Sequence, residues 1–408
     1  MAKPSNVSTA DPVILQQDEI LFEELNAHLQ RHGHGVPELI LDREAFEHNI
    51  QLLKLLLARN GYLKPRLVVK SIANLSLLSE LSAHFNTRRY MVFHIAHLKS
   101  VFNMQADAQV LLGKPMPIQA VEHFYRFDLL GLEQQGQVPE VHWLVDTMQR
   151  AQEYLALAQR LSLCLKLNIE IDVGLRRGGV VDQQSFLDIV GLIIQHPQHL
   201  QFSGAMGYDA HVTKLPQVVF NKQKLYEQSQ IRYQFFKDLI ATHFPKLNQH
   251  NLIWNGGGSP TLAYHFKHSV CNDLSFGSVL FKPLDFKIDE LRPFQHALYI
   301  ATPILKIQPN FQLPALEKIS SAVFRQQALF VYGGYWLADY VYPKGIKINP
   351  LYGRSSNQEL VTVPKNTQLS TQDYVFLIPH QSEAVIPQFQ RMSCYTSGQF
   401  NQIENLRE

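Results

Sequence analysis

LCLKLNIEIDVGLRRGGVVDQQSFLDIVGLIIQHPQHLQFSGAMGY, residues 163–208, is the stretch whose reading decides the fold. It opens with an apolar run, LCLKLNIEIDV (163–173), and passes through a glycine-rich loop. It continues as an amphipathic helix, QSFLDIVGLIIQ (184–195), and returns to an apolar run, FSGAMGY (202–208). Short apolar runs of this kind read as strands covered on both faces. A helix between two of them gives a parallel crossover. The same alternation extends both ways. On the N-terminal side RLVVK (66–70), RYMVFH (89–94), AQVLLG (108–113) and VHWLVD (141–146) read as strands. LSLLSELSAHF (75–85), IAHLKSVF (95–102), residues near 119–131 and TMQRAQEYLALAQRL (147–161) read as the helices between them. On the C-terminal side a long helix near 219–243 leads to NLIWNGGGSP (251–260) and then DLSFGSVLF (273–281). Eight strands alternating with helices predict a closed (β/α)8 TIM barrel, although the pattern alone also admits an open doubly wound sheet.

A barrel uses roughly 250 residues, so 408 leave a large remainder. After about residue 290 the style changes. ATPILKIQ, FRQQALFVYGGYWL, QELVTVP, DYVFLIP and SCYTSG are strand-like segments broken by Pro, Gly and Asn, with no helical pattern between them. The expected organisation is an N-terminal helical extension (1–36, with QDEILFEELNAHLQRH at 17–32), a barrel domain (37–286) and a C-terminal all-β domain (287–408). PELILDR (37–43) reads as a strand that fits either of the last two units. AFEHNIQLLKLLLAR (45–59) follows it as a helix.

Composition narrows the function. With 46% hydrophobic and 18% charged residues the chain has ample core. Lys+Arg of 37 against Asp+Glu of 35 gives no basic footprint for nucleic acid or an anionic membrane. Cys164, Cys271 and Cys394 stand far apart, which fits a reducing compartment. MAKPSNVSTADP is polar, and no apolar run approaches the ~20 residues that span a bilayer. A cytoplasmic protein acting on a small molecule is expected.

Barrel chemistry sits where strands end. The first barrel strand ends at Lys70, where partial desolvation favours the neutral, nucleophilic amine. The fifth runs into Glu170-Ile171-Asp172-Val173-Gly174-Leu175-Arg176-Arg177-Gly178-Gly179-Val180, delivering a carboxylate, a glycine bend and a guanidinium. The sixth ends with Tyr208 and His211 near the mouth. The seventh ends in Gly256-Gly257-Gly258-Ser259-Pro260-Thr261, and the eighth offers Gly277-Ser278. Glycines with hydroxyls after the seventh and eighth strands suit a phosphate. They match neither GxGxxG nor a Walker loop. A nucleophilic lysine opposite a phosphate cradle describes a site for a phosphate-bearing aldehyde held as a Schiff base, and pyridoxal 5'-phosphate is the cofactor of that kind.

PELILDREAFEHNI, VVKSIAN, EIDVGLRRGGV, GAMGYDAH, NGGGSPT and FGSVLF, in this order over about 37–285, resemble the fold-type III pyridoxal-phosphate enzymes. The alanine racemase-like barrel is their common unit, and the nearest branch is that of D-threonine aldolase and D-serine dehydratase. The resemblance implies that Lys70 carries the cofactor, that Arg177 lies beside its ring and that Tyr208 lies near its pyridine nitrogen. It further implies that Gly257, Gly258, Ser259 and Thr261 hold the phosphate with Gly277 and Ser278 nearby. Head-to-tail homodimers are common among such enzymes. Metal-dependent members carry a His-x-Cys or His-x-Asp pair after a proline in the β domain. Here the matching stretch is Pro379-His380-Gln381-Ser382-Glu383, with the histidine one place early. The upstream stretch Ser355-Ser356-Asn357-Gln358-Glu359 lacks the family's acidic-His segment, so no metal is expected.

The expected activity is a lyase, an aldolase or a dehydratase, acting on a D- or β-hydroxy-amino acid, with His211 and His380 beside Lys70 and Tyr208 as candidate catalytic groups. A racemase is the alternative. It needs a second acid/base opposite Lys70, for which Tyr335, Tyr340, His211 and His380 are candidates. A non-catalytic pyridoxal-phosphate carrier is a third reading, against which the extra β domain stands, and a barrel that has lost the cofactor is a fourth.

Overall fold

PELILDR forms a strand, β1 (Glu38–Asp42), but not in the barrel. It pairs antiparallel with residues 298–301 and parallel with residues 392–395, so its counting with the barrel is corrected. The computed structural model describes residues 12–129, 139–216, 219–247, 252–310 and 326–406; part of the helix expected near 119–131 lies outside them. The chain divides into two compact units. One holds the described residues up to Glu44 and His296–Ile403; the other holds Ala45–Gln295 and the described residues from Glu404 on.

The eight apolar runs become β2 (Lys64–Val68), β3 (Arg89–Val92), β4 (Gln109–Leu112), β5 (Glu140–Val145), β6 (Leu165–Ile171), β7 (Leu200–Gly207), β8 (Ile253–Gly256) and β9 (Asp273–Phe276). Each pairs parallel with the next, and β9 pairs with β2 from Lys64↔Asp273 to Leu67↔Phe276, closing the barrel. The open-sheet alternative is thereby excluded. The helix over Gln183–Gln195 buries Phe186, Ile189, Val190 and Ile193, the i, i+3, i+4, i+7 stripe that the sequence pattern requires. Side chains at loop ends start these helices: Asn74, Thr147, Asp182 and Asn221 each accept a hydrogen bond from the backbone N–H three residues on.

Apolar side chains do not fill the whole barrel interior. The Arg66 side chain is fully buried and crosses it. Its Nε and Nη2 donate to Asp273 at 2.7 and 2.9 Å, its Nη1 to the carbonyls of Tyr90 and Gln109, and its Nη2 also to Gln109 Oε1. Asn255 Nδ2 adds bonds to Asp273 Oδ1 and Ser275 Oγ. A buried ion pair is tolerable only when hydrogen bonds satisfy both partners, and all five guanidinium N–H groups are used here.

In the other unit β10 (Leu298–Gln308) branches. Its first half pairs with β1 and β15 (Tyr374–Pro379), and its second half pairs with β11 (Gln326–Tyr332). β12 (Ala338–Tyr342), which the sequence reading passed over, pairs with β15. β13 (Lys347–Ile348), β14 (Gln358–Pro364), β16 (Arg391–Thr396) and β17 (Gln399–Glu404) complete a nine-stranded sheet. The N-terminal helix, Pro12–His32, packs within this unit. Phe22 stacks on Phe376, and Asn26 and Gln30 donate to Asp373 at 2.6 Å. One short helix, Ser382–Val385, interrupts the region expected to lack any.

Candidate active site

Lys70 is not the last residue of a strand. β2 ends at Val68, and Lys70 stands in a 3-10 turn over Val69–Ile72. Its Nζ lies 4.1 Å from the centre of the Phe93 ring, just past β3. An aromatic face attracts an ammonium, and this contact holds the Lys70 side chain beside the strand ends. The Lys70 turn packs directly on the end of β9. A Cβ at Gly277 would stand 2.8 Å from Ser71 Cβ and 3.1 Å from the Val68 carbonyl, so only glycine permits the approach.

From Gly277 the contacts run on around the mouth. Ser259 Oγ, buried, accepts from Val279 N at 3.0 Å and Gly277 N at 3.4 Å, and lies 3.4 Å from Ser278 Oγ. It thereby ties the turn after β8 to the turn after β9. The Tyr208 ring lies on Gly258, where a Cβ would come within 2.8 Å of Cε2. Arg177 lies over the same ring, with Cζ 5.1 Å from its centre. Lys70, Gly277, Ser278, Ser259, Gly258, Tyr208 and Arg177 thus form one continuous band over the C-terminal ends of β2, β9, β8, β7 and β6.

Three expected residues stand differently. The Thr261 hydroxyl donates to Asp209 Oδ1 at 2.7 Å, so its hydrogen is directed away from the cradle. His211 opens a short helix, His211–Lys214, and its Nε2 lies 3.3 Å from Ser229 Oγ. Burial lowers its pKa, with Asp209 and Asp172 opposing. His380 follows β15 in the sheet unit, where its Nε2 lies 3.2 Å from Asp339 Oδ1 and its backbone N–H donates to Leu337 O. Beside it Glu383 Oε2 accepts from Ser382 Oγ. Of the other acid/base candidates, Tyr335 is exposed, while Tyr340 is half-buried, and burial raises the pKa of its hydroxyl.

The sequence reading assigned Glu170 no role. Burial pushes its carboxyl up to about 7, helped by Asp146 and Asp172 and opposed by Arg177. Its neighbour Asp172 accepts from the backbone N–H of Gly174 and Arg176 and shapes the loop that carries Arg177. Phe93 was also missed, since an aromatic residue ending an apolar strand carries no signal of its own.

A phosphate-bearing aldehyde fits this set. Hydroxyls of Ser259 and Ser278 cluster, buried, beside turns packed so closely that only glycine fits at 257, 258 and 277, and an amine stands beside the same strand ends.

Known proteins bear this out at the level of family. Residues 41–284 match the family described as alanine racemase, N-terminal domain. The chain belongs to that family. The alanine racemase-like fold is pyridoxal-phosphate-dependent. No curated protein matches the sequence. Among solved structures, D-threonine aldolase from Filomicrobium marinum is similar at 15% identity, with 91% of this chain and 96% of that chain covered and a TM-score of 0.67. D-threo-3-hydroxyaspartate dehydratase from Delftia sp. HT23 gives 15%, 91%, 97% and 0.68. Alanine racemase from Bacillus anthracis gives 12%, 91%, 98% and 0.66. At such identities the likeness is one of fold, and it extends beyond the barrel into the sheet unit. Among the described residues no helix is long and apolar enough to cross a membrane.

Proposed function

We propose that this protein is a pyridoxal-phosphate-dependent lyase that cleaves or dehydrates a D- or β-hydroxy-amino acid, with Lys70 as the residue that carries the cofactor. The observation behind it is the continuous band from Lys70 through Gly277 and Ser259 to Tyr208 and Arg177. When bound, the cofactor supplies an electron sink for charge developing at the substrate α-carbon. The chain supplies the rest. Ser259, Ser278 and the backbone of Gly257, Gly258 and Gly277 hold the phosphate. Tyr208 and Arg177 fix the ring, and the Lys70 amine would carry the proton at the α-carbon, removing it in dehydration or delivering one after Cα–Cβ cleavage. Glu170, near neutral pKa, holds a second exchangeable proton at the mouth. Thr261 acts through Asp209 rather than on the phosphate. His211, beside Ser229, and His380, beside Asp339, are kept as candidate acid/base groups. The His380–Asp339 pair and Glu383 do not reproduce the metal set of the metal-dependent branch, so the proposed reaction runs without a divalent ion.

Racemisation is the second reading, because alanine racemases share the fold to the same degree. One experiment separates the two. Purified protein with added cofactor is offered a panel of D- and L-amino acids, with and without chelator, and scored for keto acid, aldehyde and inverted substrate. Keto acid or aldehyde supports the lyase. Inverted substrate alone overturns it, and chelator-sensitive release overturns the metal-free reading. Visible cofactor absorbance lost in Lys70→Ala confirms the lysine; its absence from saturated wild type removes the whole proposal and leaves a binding module. We further assign a homodimer, as is frequent in the family, and a cytoplasmic location, which the three free cysteines fit.

A further inference from the structure

Behind the glycine-rich turn lies a buried polar set of which the function above uses only the Thr261–Asp209 contact. Asp209 follows Tyr208 directly. Its Oδ1 accepts from Thr261 Oγ1 at 2.7 Å, and its Oδ2 lies 2.9 Å from His265 Nε2. The other ring nitrogen of His265 lies 2.8 Å from Ser269 Oγ, which also accepts from Cys271 N. The side chains of Asp209 and His265 are 3% and 1% exposed. Burial opposes ionisation of Asp209, yet His265 and the hydrogen bonds from His265 and Thr261 outweigh it and hold the carboxyl below its ordinary value. The His265 ring backs the turn itself. A Cβ at Gly257, whose φ is +79°, would meet His265 Cδ2 at 3.2 Å and Nε2 at 3.4 Å.

An ionised carboxylate buried this deeply is costly unless geometry and hydrogen bonds are both good. Its connections explain the placement. Through Thr261 it grips the chain after Ser259, through His265 it supports Gly257, and through its own backbone it fixes Tyr208. We propose that Asp209 and His265 are a positioning couple that presets the Gly257–Ser259 turn for a phosphate monoester and registers that turn against Tyr208. Neither residue touches the ligand. The couple confers selectivity for the phosphorylated over the unphosphorylated aldehyde, and this rests on the cofactor reading above.

The test compares two probes, pyridoxal 5'-phosphate and pyridoxal, titrated into cofactor-stripped full-length protein and followed by visible absorbance, with the thermal midpoint recorded. His265→Gln is expected to weaken binding of the phosphorylated probe by about tenfold or more, the usual scale for a residue supporting a ligand-binding one. Binding of pyridoxal is expected to change by less than about twofold. Equal weakening of both probes assigns the couple to stability alone and overturns the proposal, as does unchanged discrimination. If His265→Gln does not fold, Thr261→Val carries the same comparison, and Thr261→Ser, which keeps the hydroxyl, is expected to restore wild-type discrimination. Wild type that binds neither probe refutes the cofactor reading itself, a result distinct from loss of selectivity in the variants.

Discussion

Arg66 and Arg177 are both delivered by barrel strands and meet opposite conditions. Arg66, in the interior, directs all five N–H groups to Asp273, Gln109 and the Tyr90 carbonyl. Arg177, past β6, is exposed and lies over the ring of Tyr208. The interior network is closed and specifies structure. Carboxylates divide the same way: Asp273 is saturated by Arg66 and Asn255, whereas Glu170 is pushed towards neutrality by burial and by Asp146.

Substitutions at the two levels separate function from stability. At the mouth, Lys70→Ala is expected to reduce turnover by about 10⁴-fold or more. The thermal midpoint of the cofactor-free protein should stay nearly unchanged, and a collapse in that midpoint would make Lys70 a structural residue. In the interior, Asp273→Ala leaves Arg66 unpaired and is expected to cost about 3–5 kcal/mol in denaturant unfolding. A loss below about 1 kcal/mol would show that the network is not the closed element described. Arg177→Ala should lower kcat/KM by about 10- to 100-fold at constant stability. It should also move the Glu170 titration upward, since Arg177 is the group opposing its rise.

The smallest effect concerns pH. Glu170 has a folded pKa of about 7 against an ordinary 4.5. The folded state therefore binds more protons between these values, and the stability linked to Glu170 falls as pH rises through that window. Glu170→Gln removes the penalty. Its thermal midpoint should match wild type near pH 4.5 and exceed it by a few degrees above pH 7. Parallel curves across the range would remove Glu170 from the titrating groups of the mouth.

The barrel was legible because its eight strands are short apolar runs separated by stripes such as Phe186, Ile189, Val190 and Ile193, a local pattern. The band from Lys70 to Arg177 was legible for a related reason, since strand ends of a barrel converge whatever their sequence spacing. β1 was misplaced because a strand's partners are not written in its own residues; ELILD pairs with segments more than 250 positions away. β12 was overlooked because ADYVY follows a Gly-Gly-Tyr-Trp stretch that blurs its start. His265 gave no signal at all. It lies on a short helix without a motif, and only the fold brings it to Asp209.

The pairing of β1 with β10 and β16 also orders events during synthesis. β1 emerges from the ribosome before any barrel strand, yet its first partner, β10, begins 256 positions after β1 ends. At translation rates of about 5–20 residues per second, that is a wait of roughly 10–50 s. Over this interval a strand with three buried central residues remains unpaired, while every strand of the barrel has already been made. The nascent chain therefore completes its inner, inserted unit first and closes the flanking sheet last.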